Sequence, residues 1–133
     1  MRTLRNIAAI LILVAGGPAS RAAGTETPRV TRTDLQRHDL SVPGREVVQV
    51  RVDFAPGSAF GRHRHPGEEI VYVIEGVLEY EIEGRPPVTL KAGEVLFIPA
   101  GAVHAARNVG SVNGAELATY LVAKDARLVE TVE

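Results

Sequence analysis

Residues 57–76 read Gly57-Ser-Ala-Phe-Gly-Arg-His63-Arg-His65-Pro-Gly-Glu-Glu69-Ile-Val-Tyr-Val-Ile-Glu-Gly76, and the rest of the chain is organised around them. His63 and His65 stand two residues apart, so both imidazoles project from the same face of an extended strand. Glu69 follows beyond a Pro-Gly break, and the apolar run from Ile70 to Ile74 comes directly after it. These spacings predict that two imidazoles and a carboxylate enter a buried setting, where a charged group needs a partner.

A second ordered stretch, residues 93–108, contains His104. Together the two stretches resemble the paired motifs of the cupin superfamily, in particular its small single-domain type-2 members. The first motif has Gly57, five residues, His63-x-His65, three residues, Glu69, six residues and Gly76. The second has Gly93, five residues, Pro99-x-Gly101, two residues, His104, three residues and Asn108. Every signature position is filled. The resemblance implies an all-β jelly roll, or double-stranded β-helix, that binds one metal per chain through His63, His65, Glu69 and His104.

Three neutral imidazoles and one carboxylate suit a divalent transition metal such as Fe, Mn, Zn, Ni or Cu, and the sequence does not choose among these metals. The alternative is that the three histidines are hydrogen-bonded barrel residues without a metal. The presence of all four positions favours the metal. Glu69 could remain a ligand, or it could detach and act as a general base, because burial raises the proton affinity of a carboxylate unless a metal opposes it.

Two classes of function stay open at this point. The resemblance to small cupins implies a metal-dependent oxygenase, of a dioxygenase-like kind, acting on a flavonol-, diketone- or catechol-like molecule. The other class is a non-catalytic extracytoplasmic module that binds a small molecule or a metal ion, since one fold can serve many functions. Five polar residues could line a pocket, although packing or surface positions are their more ordinary roles: Gln49, Arg51, Tyr72, Tyr80 and Tyr120.

Residues 1–22 have the pattern of a cleavable secretory signal. Arg2 and Arg5 precede an uncharged run from Ile7 to Ala15, which is shorter than the roughly 20 residues that a spanning helix needs. Small residues follow, and cleavage is predicted after Ala22. This pattern predicts a bacterial protein that is periplasmic or secreted, with no stable membrane anchor after cleavage. The chain has no cysteine, so disulfides do not contribute to its stability.

Charge and composition limit the partners. Removal of residues 1–22 takes away three arginines and leaves 12 basic against 16 acidic residues, a formal charge of −4. That balance disfavours nucleic acid as a partner and leaves a small-molecule ligand or substrate. The resemblance implies a homodimer, and free strand edges also gain by pairing. His38, among polar neighbours, is predicted to lie on the surface.

Residues 23–44 are predicted as an N-terminal lead and residues 45–133 as the barrel, with residues 30–40 open to a short strand along it. Apolar residues at positions 48–54 and 78–82 alternate with polar ones, the pattern of antiparallel strands with one wet face. Glutamates at 79, 81 and 83 form the solvated face of the second of these strands. Strands recur every 8 to 12 residues or so, which is typical of a β-sandwich or barrel.

Overall fold

The computed structural model describes residues 29–133, so the predicted signal segment and the start of the lead lie outside the described residues. Ten strands form within this range. They are β1 Val30–Asp39, β2 Arg45–Phe54, β3 Ala59–Arg64, β4 Gly67–Glu75, β5 Val77–Ile82, β6 Val88–Lys91, β7 Val95–Ile98, β8 His104–Asn108, β9 Gly114–Ala123 and β10 Glu130–Thr131. Residues 29–133 contain no helix with the length and hydropathy that crossing a membrane requires.

The strands form two five-stranded antiparallel sheets. The first sheet has the order β1-β2-β9-β4-β7, and the second has the order β10-β3-β8-β5-β6. Consecutive strands alternate between the sheets in places, as when β3 leads to β4 and β4 leads to β5, so the chain winds around one shared core. The predicted all-β jelly-roll architecture is confirmed.

The core follows the sequence alternation. In β2 the residues Val48, Val50, Val52 and Phe54 are all buried, whereas the residues between them are half-buried. The inward residues of β5 pack against them from the second sheet, again as the alternation predicts. Each fully buried valine or leucine contributes about 1.5–3 kcal/mol of transfer free energy, so this shared core is the main source of cohesion between the sheets.

Residues 30–40, for which the sequence left a short strand along the barrel open, contain strand β1. It pairs with β2 from Val30↔Phe54 to Asp39↔Glu46, with an irregularity between Asp34 and Gln36. Most of its side chains are exposed because it lies at the edge of the first sheet. His38 is exposed, as predicted. Residues of the predicted lead therefore belong to the sheet.

The two strongest apolar runs are buried on one face only. In β4, Val71 and Val73 are fully buried, but the alternate residues Ile70, Tyr72 and Ile74 are exposed. The run has a period of two, with only the inward half in the core. The same is true of β7, which exposes Val95 and Phe97.

Candidate metal centre

The structure brings the four predicted ligand residues together between the two sheets. His63 on β3 lies directly opposite His104 on β8 in the second sheet. His65 follows the end of β3, and Glu69 reaches the same point from β4 in the first sheet. All four side chains point inward, and each residue is no more than 5% exposed. Two sheets therefore contribute to one site.

Distances within the cluster are short. Ring nitrogens of His63, His65 and His104 all lie within 4.8 Å of one another. The Glu69 carboxylate oxygen Oε2 is 3.1 Å from Nε2 of His65 and 3.1 Å from Nε2 of His104. The three imidazoles therefore converge on a volume that one ion could fill, and Glu69 contacts two of them.

Each imidazole is held by a hydrogen bond from its other nitrogen to a backbone carbonyl. Nδ1 of His63 donates to the Gly61 oxygen at 2.7 Å, and Nδ1 of His104 donates to the Ala102 oxygen at 2.9 Å. The acceptor for His65 is the Leu128 oxygen at 2.6 Å, supplied by the C-terminal segment. A carbonyl only accepts, so the proton of each neutral ring lies on Nδ1. The Nε2 lone pairs are left facing the site.

The His63 imidazole is neutral and the Glu69 carboxylate is ionised. Burial, followed by the neighbouring His104, lowers the pKa of His63 to about 4. Burial alone would raise the pKa of Glu69, but its contacts with His104 and His65 outweigh burial and lower that pKa to about 2. At neutral pH the site therefore offers the lone pair of His63 and one negative oxygen.

These groups fit a metal ion better than they fit one another. His65 Nε2 and Glu69 Oε2 are buried without a hydrogen-bond partner, although they are in contact. A cation bound by both atoms would satisfy them together. Neutral imidazole nitrogens with a carboxylate oxygen, and no sulfur, suit a divalent transition metal. The three buried histidines could therefore bind a metal ion.

A narrow cavity opens beside the cluster. Its volume is about 10 Å³, enough for about one water molecule. The walls of the cavity are partly apolar. Its polar side chains come from both sheets, including the edge strand β1 of the first sheet. The lining residues are Arg32, Val52, Phe54, Phe60, His63, Glu69, His104, Ala106, Glu116 and Tyr120.

Arg32 brings a positive charge to this cavity from the edge strand β1. Its Nη1 donates to the Tyr120 hydroxyl at 3.4 Å, and its guanidinium carbon lies 5.8 Å from the ring centroids of both Phe60 and Tyr120. The Tyr120 ring also lies against the His65 ring, with centroids 4.6 Å apart. Arg32 is thus positioned by aromatic contacts, and within residues 29–133 no ion pair neutralises it.

Glu116 on β9 is a second buried carboxyl on the same cavity. The Tyr80 hydroxyl is its hydrogen-bond partner. Burial and the charge of Glu69 raise the pKa of Glu116 to about 8, and burial also raises the pKa of Tyr80. Glu116 is therefore a protonated carboxylic acid at neutral pH.

Of the five polar residues named from the sequence as pocket candidates, the structure brings two near the site. Tyr120 lines the cavity and Tyr80 contacts Glu116. Tyr72 is exposed, Gln49 donates to Thr119, and Arg51 pairs with Asp53 and Glu75, all on the outer face of the first sheet.

Arg32 and Glu116 were missed from the sequence. A signal for Glu116 existed, since it shares the inward alternation of Ala118, Tyr120 and Val122 in β9. A carboxylate at an inward position of an apolar strand is unusual enough to mark a functional candidate. Arg32 left no such signal, because its direction depends on the register of β1 on β2.

The last residue of the second motif has a structural role. The Asn108 amide nitrogen Nδ2 donates to the backbone oxygens of Phe54 and Val112, at 2.8 Å each. Its Oδ1 accepts from the Gly110 nitrogen at 2.8 Å. Asn108 is buried and joins the end of β2 to the loop between β8 and β9, so its side chain supports the barrel end.

Comparison with known proteins agrees with this geometry. A family model described as a cupin domain matches residues 50–120, more than half of the chain. The protein therefore belongs to the cupin family, as the paired motifs indicated.

Individual relatives share the fold and part of the sequence. Germin-like protein 1-1 of Oryza sativa subsp. japonica is 35% identical over 112 residues, which cover 78% of this chain and 49% of the relative. The oxalate-binding protein of Thermotoga maritima is 36% identical over 73 residues, covering 54% of this chain and 60% of the relative. A solved structure of oxalate oxidase matches with a TM-score of 0.65 at 28% identity, covering 88% of this chain and 62% of that one. The chain thus spans less than two thirds of each relative.

Proposed function

We propose that this protein is a metal-dependent oxidase that acts on a small organic acid. One observation carries the proposal: a buried set of three histidines and Glu69 shares a narrow cavity with the Arg32 guanidinium. The three histidines and Glu69 provide donors for one divalent transition metal. The Arg32 guanidinium provides a cation for the carboxylate of a substrate beside that metal.

Arg32 suits a carboxylate because its planar fork of N–H donors matches the two oxygens of that group. The contacts with Tyr120 and Phe60 hold the fork at the cavity, so less side-chain freedom is lost when a ligand binds. Glu116 does not cancel this charge at neutral pH, because its pKa is raised to about 8. A small anion is therefore favoured over a neutral ligand of equal size.

The cavity limits the size of that ligand. Its volume of about 10 Å³ lies far below the roughly 300–1,000 Å³ that drug-sized ligands occupy. A ligand therefore enters only if side chains lining the cavity move apart, and an acid of a few carbons requires less movement than a flavonol. The apolar side chains of Val52, Phe54 and Ala106 exclude water from the ligand and strengthen its contact with Arg32.

A redox-active metal held by His63, His65, His104 and Glu69 would supply Lewis acidity and electron transfer. With oxalate as the simplest test acid, the carbon–carbon bond would break to release two molecules of carbon dioxide. Two electrons and two protons would then reduce dioxygen to hydrogen peroxide. Glu116 carries a proton on the cavity wall and can supply one of them, whereas Glu69 is held between two imidazoles, the position of a ligand.

The relatives support this choice of chemistry. One solved neighbour is described as an oxalate oxidase in complex with glycolate, with a TM-score of 0.63 at 28% identity. The Thermotoga maritima relative is described as an oxalate-binding protein. The second name also supports an alternative in which this chain binds a small acid at its metal without turnover.

Dioxygen uptake, measured with an oxygen electrode, distinguishes an oxidase from a protein that only binds the acid. Protein loaded with Mn, Fe, Cu or Ni is given oxalate, glycolate, and a comparison set of a flavonol, a diketone and a catechol. We expect dioxygen uptake with an acid and about a 100-fold loss of kcat/KM in Arg32→Gln, since a charge-assisted contact to the substrate is removed. Arg85→Gln, an exposed site in the β5–β6 hairpin, is the control and should not change the rate.

Three results would count against the oxidase. Uptake only with the flavonol, diketone or catechol would contradict the acid as substrate. Equal rates in Arg32→Gln and the unaltered protein would remove Arg32 from the site. Oxalate binding by calorimetry with no uptake for any metal would leave the binding module as the function.

A further inference from the structure

The chain crosses from the first sheet to the second immediately after β9. β9 ends at Ala123 between β2 and β4, whereas β10 lies at the edge of the second sheet. We call residues 124–132 the strap. Its strand β10 pairs with β3, where Thr131 lies opposite His63. Because β3 carries one ligand residue and leads directly to His65, the strap meets the second sheet beside the metal centre.

One ligand residue depends on the strap for its orientation. Nδ1 of His65 donates to the Leu128 oxygen at 2.6 Å, and Leu128 lies in the middle of the strap. His63 and His104 differ, since each donates to a carbonyl only two residues earlier in the chain. Those local acceptors stay in place as long as their own segment is folded. The acceptor of His65 stays in place only while the strap does.

The strap is held to the barrel by few contacts. Leu128 packs against the core, and the backbone nitrogen of Val132 donates to the Arg62 oxygen at 3.0 Å. β10 has two residues, and both are exposed. Among residues 29–133, the cluster of buried core residues ends at Val122, before the strap begins. A short exposed edge strand opens at a lower free energy than core strands do, so the strap can loosen while the barrel stays folded.

A two-point ion pair between Arg64 and Glu130 joins the strap to β3. Nε of Arg64 donates to Oε2 of Glu130 at 3.0 Å, and Nη2 donates to Oε1 at 2.6 Å. Two parallel hydrogen bonds fix the direction of the pair as well as its distance. Arg64 stands between His63 and His65 in the sequence, and Glu130 stands two residues after Leu128. The pair therefore ties the acceptor of His65 to the strand that leads to it.

We propose that Arg64 and Glu130 are positioning residues of the metal centre, which act on His65 through the strap. Their ion pair holds the Leu128 carbonyl at Nδ1 of His65, and that hydrogen bond keeps Nε2 turned toward the other ligand residues. A carbonyl in this position fixes both the tautomer and the orientation of a metal-binding imidazole. This role requires the metal centre, but it requires neither the oxidase reaction nor its substrate.

Loss of the ion pair releases His65 before the other ligand residues. When the strap separates from β3, the buried Nδ1–H of His65 loses its acceptor, and the ring rotates because a buried donor without a partner is costly. Tyr120 touches the ring, with centroids 4.6 Å apart, but a ring contact does not replace the carbonyl. His63, His104 and Glu69 keep their own supports, so the centre is left one nitrogen short.

Titration of the full chain with Co²⁺, followed by visible absorption, tests the proposal. In Glu130→Arg two like charges meet, so we expect Co²⁺ to bind at least about 10-fold more weakly, as when a ligand loses its hydrogen-bond partner. Arg64→Glu/Glu130→Arg restores opposite charges and should bind Co²⁺ within about 3-fold of the unaltered chain. The cobalt spectrum of Glu130→Arg should also change, because one imidazole no longer has a fixed orientation.

Glu83→Arg is the matched control. Glu83 pairs with Arg62 of β3 at 2.6 Å, the same shortest distance as between Glu130 and Arg64, and the two glutamate side chains are 62% and 56% exposed. Both substitutions add the same charge beside β3, but Glu83 follows β5 and lies outside the strap. Its substitution should leave the Co²⁺ affinity and the spectrum unchanged.

Melting curves of chelator-treated protein separate positioning from folding. Because the pair is exposed, Glu130→Arg should lower the melting temperature by no more than a few degrees. If this variant does not fold, Glu130→Gln replaces it. Glu130→Gln removes the charge without adding repulsion, and it should weaken Co²⁺ binding about 2–5-fold, the range of an exposed ion pair.

Weaker binding in Glu130→Arg that is restored in the double variant and absent from Glu83→Arg supports the proposal. Equal affinity and spectrum in Glu130→Arg and the unaltered chain overturn it, as does an equal loss in Glu83→Arg or a double variant that is not restored. An unaltered chain that binds no Co²⁺ overturns it together with the metal centre. A chain that binds metal as expected but takes up no dioxygen contradicts only the oxidase.

Discussion

Two buried carboxyl groups in this barrel have opposite protonation, and their immediate contacts explain why. Glu69 touches the imidazoles of His65 and His104, which outweigh its burial and hold its pKa at about 2. Burial, followed by the negative charge of Glu69, raises the pKa of Glu116 to about 8, and its hydrogen bond with the Tyr80 hydroxyl opposes this rise only in part. One carboxylate can therefore bind a metal while the other keeps a proton for the cavity.

The proton on Glu116 links stability to pH. The pKa of Glu116 in the folded protein lies above the ordinary value of 4.5. The stabilisation that its bound proton gives the folded state is therefore fully present below about pH 4.5 and is lost as pH rises through about 8. In chelator-treated protein, the free energy of unfolding should therefore fall between pH 6 and pH 9. Glu116→Gln keeps the side chain's shape and can still accept a hydrogen bond from Tyr80, but it cannot titrate. In this variant the decrease in the free energy of unfolding should be smaller by on the order of 1–3 kcal/mol.

Urea unfolding at pH 6 and pH 9 measures this difference. Glu81→Gln is the matched control, because Glu81 on β5 is exposed and its substitution should leave the fall unchanged. If Glu116→Gln loses as much stability with rising pH as the unaltered protein does, Glu116 is not the group that titrates.

At the scale of residues, the candidate ligands could be named from the sequence, whereas the groups that support them could not. The spacing of His63, His65 and Glu69 is local, so a motif preserves it. The carbonyl that holds His65 belongs to Leu128, 63 residues further along the chain. No local pattern marks a backbone acceptor at that separation, and the same limit hides the approach of Arg32 to Tyr120, 88 residues away.

Among the elements, β4 depends most on a glycine. Gly67 lies between His65 and Glu69, where β4 passes close to β9, and a Cβ at this position would lie 2.0 Å from the Leu121 backbone oxygen. Backbone atoms cannot rotate away as a side chain can, so any larger residue pushes the strands apart. The glycine thus sets how near Glu69 comes to the histidines.

Gly67→Ala should therefore lower the free energy of unfolding by more than about 2 kcal/mol, since a backbone clash in the core belongs to the severe class of substitutions. It should also weaken metal binding, because the carboxylate moves with the strand. Gly61→Ala is the control: a Cβ there meets nothing within 4 Å, and the residue is exposed. Thermal melts and metal titrations measure the stability and the metal affinity of both variants. Equal melting temperatures and equal affinities in the two variants would contradict the role given to Gly67.

Strand positions were predictable wherever alternation was clear, as in β2 and β5. The runs at Ile70–Ile74 and Val95–Ile98 were harder, because apolar residues occupy both faces of these strands. Such a run predicts burial on both sides, whereas within one chain only the inward side is covered. A sequence does not say whether residues of the same chain cover the second side of such a strand. The conformation of β1 was left open for another reason, because its exposed edge position requires no periodic pattern.

In the whole molecule, the metal centre joins the two sheets. His63 and His104 belong to the second sheet and Glu69 to the first, and the chain has no disulfide to strengthen that connection. Without a cation, His65 Nε2 and Glu69 Oε2 are buried with no hydrogen-bond partner. A metal that binds only the folded barrel should therefore stabilise the entire domain.

At a free metal concentration of about 100 times the dissociation constant, the gain is roughly 2.7 kcal/mol, which raises Tm on the order of 10 °C for a domain of this size. Differential scanning fluorimetry with and without a chelator measures the shift. The double variant His63→Ala/His65→Ala should lose it, whereas His38→Ala, which removes an exposed histidine outside the site, should keep it. Because the double variant lacks two of the candidate ligands, its melting temperature should also respond least to the chelator. An equal metal-induced shift in the double variant and the unaltered protein would place the metal elsewhere, and an unaltered protein indifferent to the chelator would separate the metal from the fold.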